Sequence, residues 1–108
     1  MTDRELLELA AKAAGLTNPQ YEQSVAANWN IYHGDIVDPR ECWNPLADDG
    51  DALRLAVKIG FVMSASEKFV KVSLTWSREI LEYANGDILS ATRRAIVRAA
   101  AEIGKGME

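Results

Sequence analysis

The chain has one histidine, His33, and one cysteine, Cys42. A thiol beside an imidazole is the smallest nucleophile–base pair a protein can carry. It needs the two side chains at hydrogen-bond distance and a third group to orient the base. The sequence marks no such third group, so the simpler reading is a loop histidine and an incidental cysteine. Zinc draws about four nitrogen or sulfur ligands, and this chain offers two. Asp48, Asp49 and Asp51 form an acidic cluster, and three carboxylates could hold Ca²⁺ or Mg²⁺. A calcium loop, however, spaces its acids at alternate positions and closes with a glutamate, and neither feature is present. The same aspartates are well placed to cap a helix and to face the positive end of its dipole. Gly34, Gly50, Gly60 and Gly86 are isolated, so no phosphate-cradling loop is present. No catalytic residue, metal site or cofactor is expected, and the chain reads as a non-enzyme.

Two further groups of residues could bind rather than react. Arg93, Arg94, Arg98 and Lys105 make one side of the C-terminal helical segment basic, as a phosphate-binding helix would be. Glu102 interrupts them, no aromatic residue is interleaved, and the whole chain carries a net charge of −4. A solvated helix face is the simpler reading, and nucleic-acid binding through Arg94, Arg98 and Lys105 is kept as an alternative. Trp29, Trp43 and Trp76 are the other group, since aromatic side chains anchor many interfaces. Trp76 alternates with inward-facing positions and belongs in the core. Trp43 stands in a loop before Asn44-Pro45, where it could either staple the following helix or meet a partner. The partner-binding candidates are therefore Trp43, Asn44, Asp48, Asp49 and Asp51. A divalent cation on Asp48, Asp49 and Asp51 is a second alternative.

These residues must be held by three helices and a sheet. Thr2 and Glu5 have the spacing of a capping box. They open a helix with Leu6, Leu9, Ala10 and Ala13 on one face, ended at Gly15. Residues 17–45 are the least regular part. Asn18-Pro19 reads as a turn, Val25 to Tyr32 alternates as a strand, His33-Gly34-Asp35 turns, and Ile36-Val37 could return. The second helix starts at the aspartate cluster and runs to Ile59, before Gly60. Its apolar arc of Ala52, Leu53, Leu55, Ala56, Val57 and Ile59 is broad enough to predict burial on more than one side. Val70, Val72, Leu74 and Trp76 alternate with polar neighbours as a half-buried strand. Ser77-Arg78 turns it into Glu79–Tyr83, and Phe61-Val62-Met63 adds a further strand. Asp87 caps the last helix, which runs from about Ile88 to Ile103. Its buried stripe is predicted as Ile88, Leu89, Thr92, Ala95, Ile96, Ala99, Ala100 and Ile103. Arg94, Arg98, Ala101 and Lys105 lie opposite, and Gly104 and Gly106 finish the helix. Short connections imply an antiparallel sheet of about 3–5 strands. The fold class is α+β.

The 108 residues suit one domain spanning 1–108, with 48% hydrophobic and 26% charged residues. Such a chain buries roughly two-thirds of its unfolded surface, which is enough for a core without metal or disulfide. Charge is uneven: residues 1–52 carry a net −7 and residues 53–108 a net +3. The lone Cys42 suits a reducing compartment. The N-terminus lacks the pattern of a signal peptide, and no stretch approaches the ~20 apolar residues of a membrane span. The expected location is the cytoplasm, with no membrane contact.

Three segments carry a resemblance: Thr2 to Ala10, Trp43 to Val57, and Ala91 to Gly104. Together they resemble a family of small phage and prophage proteins, the phage ABA-sandwich domain group. The likeness covers the first and last helices and the lead-in to the second. It implies a layered α/β/α fold and a phage or prophage origin, and it implies no activity. The expected role is an accessory protein that binds a host or phage macromolecule within the bacterial host.

Overall fold

The computed structural model describes residues 2–16, 20–23, 29–32, 42–75 and 78–107. Three helices and two three-stranded antiparallel sheets are found there. The class is α+β. The expected turns at 18–19 and 33–35, the strand positions 25–28 and 36–37, and Trp76 and Ser77 lie outside the described residues.

Helix α1 spans Asp3–Ala13 and opens on the expected capping box. The Glu5 backbone N–H donates to Thr2 Oγ1 at 3.2 Å, and the Thr2 N–H reaches back to the Glu5 carboxylate at 3.5 Å. Each side chain thus satisfies a helix-end donor. The buried stripe is Leu6, Leu7, Ala10, Ala11 and Ala14, whereas Leu9 and Ala13 are only partly buried. This rotation of the expected stripe follows from how closely α1 approaches the last helix, described below.

Strands β1 (Gln20–Gln23), β2 (Trp29–Tyr32) and β3 (Cys42–Trp43) form the first sheet in that order. Ile31 lies between Tyr21 and Trp43 in the ladder. Trp43, expected in a loop, therefore ends a short strand. Helix α2 spans Asp49–Ile59, with Asp48 as N-cap and Gly60 at φ 85° as its left-handed C-cap. Only glycine takes that conformation without strain. Asp51, Ala52, Leu55 and Ala56 are buried, and Val57 is 73% exposed with Leu53 beside it on the open side. The prediction of burial on more than one side is corrected: α2 packs on the last helix with one face and shows apolar residues on the other.

Strands β4 (Val62–Ala65), β5 (Phe69–Thr75) and β6 (Arg78–Tyr83) form the second sheet, with β5 central. Met63 pairs with Val72 and Val72 with Ile80; Phe69 pairs with Tyr83 and Lys71 with Leu81. Val70 and Val72 are fully buried, as their alternation required. The opposite face carries Val62, Phe69, Leu81 and Tyr83 into solvent.

Helix α3, Ile88–Lys105, is capped by the Asp87 carboxylate, which accepts the Ser90 N–H at 3.0 Å. It packs against α1, α2, β5 and β6. A helix with neighbours on several sides needs small residues to let each approach. Ala91, Ala95, Ala99, Ala100 and Ala101 are accordingly buried with Ile96 and Val97. Ala101, expected outside, is in the core, and Leu89, expected inside, is exposed. Gly104 does not finish the helix but lies within it, buried against α1. A Cβ there would sit 2.1 Å from the Leu9 carbonyl oxygen. That backbone approach turns Leu7, Ala10 and Ala11 into the core. The stacking is sheet β4–β6 on α3, with α1 and α2 packed on α3 in turn. The outer sheet face exposes Val62, Phe69, Leu81 and Tyr83.

Candidate functional site

The lead-in to α2 is a closed network. Trp43 is 5% exposed and belongs to the core, and Pro45 is fully buried beside it. The Asn44 backbone N–H donates to Asp51 Oδ2 at 2.9 Å. Asn44 Oδ1 accepts the Leu46 N–H at 3.2 Å, and the Asn44 carbonyl accepts those of Ala47 and Asp48. Asp48 Oδ2 accepts the Asp51 N–H at 2.8 Å, as an N-cap does. The buried Asp51 carboxylate meets Arg54 at 2.7 Å. That hydrogen bond raises the exposed Arg54 guanidinium above its ordinary pKa. Arg93 closes the turn from α3, donating from Nε to the Leu46 carbonyl at 2.9 Å and from Nη1 to Asp49 at 2.7 Å. The structure thus brings together all five sequence candidates of this segment. It turns Trp43, Asn44 and Asp51 inward and leaves Asp48 and Asp49 on the surface. Among the described residues no three His, Cys, Asp or Glu side chains converge as a metal site would require. Cys42 lies in β3 opposite Tyr32, and His33 is outside the described residues.

Arg94, Arg98 and Lys105 also come together, in a groove between α1, α3 and β6 of about 420 Å³. Its walls include Leu6 of α1 and Ile80 and Glu82 of β6. Arg94 Nη1 donates to Asp3 at 3.1 Å. Arg98 Nη1 donates to the Leu81 carbonyl at 3.2 Å and to the Glu82 carboxylate. Glu102 accepts from Arg78 at 3.0 Å and lies 3.5 Å from Lys105. The helical spacing of the three cations was visible in the sequence. Leu6, Ile80 and Glu82 arrive from elements far away in the chain, and no local pattern announced them. Arg93, grouped with the same cations in the sequence, belongs to the lead-in network.

The third candidate is the outer face of β4–β6. Val62 is 71% and Tyr83 64% exposed, with Phe69 and Leu81 also open to solvent. Phe69 and Tyr83 sit directly across from one another, and Leu81 lies opposite Lys71. Lys71 in turn is 3.8 Å from Glu79, and this charged pair sits between Val62 at one end of the face and Phe69, Leu81 and Tyr83 at the other. Alternation in β5 marked a wet face, but the convergence with β6 depends on strand register. No known protein family, curated protein or solved structure matches this chain.

Proposed function

We propose that this chain is a non-enzymatic accessory protein of a phage or prophage that works by holding a protein partner in the cytoplasm of the bacterial host. The observation behind it is the gathering of Phe69, Leu81 and Tyr83 on one exposed sheet face, bordered by the Lys71–Glu79 pair. Contiguous exposed apolar residues rimmed by charge are the usual makeup of a protein contact surface. The resemblance of the first and last helices and the α2 lead-in to the phage group supports the origin. A lone thiol suits a reducing compartment. No helix of the described residues is long and apolar enough to cross a membrane. Of the five residues first considered for the contact, Asp48 and Asp49 are the ones a partner could reach.

The test is a capture from bacterial lysate with the wild-type chain and with Leu81→Ser/Tyr83→Ser, whose fold is checked by circular dichroism. A partner held by the wild type and lost by the double variant is the expected result. Capture that the double variant leaves unchanged, or no specific protein at high bait concentration, counts against the reading.

A further inference from the structure

We propose that the groove between α1, α3 and β6 binds a small molecule bearing a phosphate or carboxylate group. The argument starts from how its two arginines spend their donors. A guanidinium offers five N–H groups, and its Nε–Nη2 edge is one of the forks that matches an oxyanion with two parallel hydrogen bonds. Arg94 uses Nη1 on Asp3, and Arg98 uses Nη1 on Leu81 and Glu82. Among the described residues nothing claims Nε or Nη2 of either side chain. Both arginines line the groove, one helical turn apart, a rise of about 6 Å. Two unspent forks at that spacing suit one oxyanion group.

The setting favours occupancy. Arg98 is fixed by a carboxylate and a backbone carbonyl, so little freedom is lost when an anion arrives. The Arg94–Asp3 pair is well exposed, and exposed pairs hold weakly enough to exchange partners. Lys105 lies further along the same wall, with its ammonium 3.5 Å from Glu102. The lining charges sum to a small positive balance, which an anion would neutralise. Leu6 and Ile80 supply apolar wall for the rest of the molecule. The volume falls at the small-molecule end of binding sites, roughly 300–1,000 Å³. Walls from α1 on one side and β6 on the other suit a compact ligand rather than a nucleic-acid duplex.

The experiment uses the whole chain, ¹⁵N-labelled, in low salt. Arginine Nε–H signals are followed while inorganic phosphate and, separately, succinate are added. Saturable shifts of Arg94 and Arg98 are expected with at least one of the two. Preference for phosphate assigns a phosphorylated compound, and preference for succinate a carboxylate. Arg94→Gln, which keeps the exposed helix surface intact, should weaken binding about tenfold or more, as loss of a bidentate charged contact does. Lys58→Gln, on α2 and away from the groove, should leave it unchanged. No saturable shift with either anion, or equal binding by Arg94→Gln and the wild type, overturns the proposal. Tighter binding to a single-stranded oligonucleotide than to phosphate, with shifts spreading beyond the groove, overturns it in favour of a polymer.

Discussion

Arg93 and Arg94 are adjacent on α3 and serve two regions of opposite character. Arg93 is 19% exposed and commits both Nε and Nη1 to the α2 lead-in. Arg94 is 40% exposed and commits Nη1 alone, at the rim of the groove. Around Arg93 both Nε and Nη1 meet acceptors within one turn, and the buried Asp51 carboxylate accepts from a backbone N–H and a guanidinium. Around Arg94 and Arg98 half-open ion pairs line a cavity. Charged residues in the first region hold the chain in shape, and those in the second retain capacity for something outside it.

Four substitutions break or sharpen that contrast. Gly104→Ala strikes the groove side by pushing α1 off α3. Overpacking usually costs about 1–3 kcal/mol, and a backbone contact that cannot swing aside belongs at or above the upper end. Urea unfolding should show the loss, with altered amide signals along α1 and the groove. A change near zero would mean that the helices separate freely. Asp51→Ala strikes the lead-in alone. It removes the carboxylate that accepts the buried Asn44 N–H, for an expected loss of about 2–3 kcal/mol. Arg98 and Arg94 signals should stay in place. The smallest effects separate the adjacent arginines. Arg93→Ala should cost about 1–2 kcal/mol through two lost charge-assisted hydrogen bonds, and Arg94→Ala less than about 0.5 kcal/mol, as an exposed pair does. Equal losses in thermal unfolding would erase the distinction.

The parts legible in the sequence are those set by neighbours along the chain. Thr2 and Glu5, Asp48, Gly60 and Asp87 mark helix ends through contacts within four residues, and each lies where its type predicts. The alternation through Val70 and Val72 survives because one strand face meets α3. Helical periodicity gave less. It cannot tell how many neighbours a helix has, so α2 looked more enclosed than it is and α3 less. Ala101 and Gly104 read as surface and terminus because small residues carry little hydrophobic signal. For Gly104 the meaning comes from Leu9, which is remote in sequence. The groove was illegible for the same reason. Its cations share one helix, but its walls come from α1 and β6. In the lead-in, Asp51 with Arg54 could be read from spacing, whereas Arg93 reaching Leu46 and Asp49 could not.

The seat of Gly104 against Leu9 also orders events at the ribosome. Helix α1 is translated before α3, yet the surface that covers Leu7, Ala10 and Ala11 is α3, made some 75 residues later. At about 5–20 residues per second, that delay is about 4–15 seconds. During it the nascent N-terminal helix has no permanent home. Sheet β4–β6 can pair while synthesis continues, but the core closes only once α3 has emerged. A ribosome stalled before Ile88 would therefore hold a chain with its apolar helix face uncovered, a substrate for chaperones rather than a partly working protein.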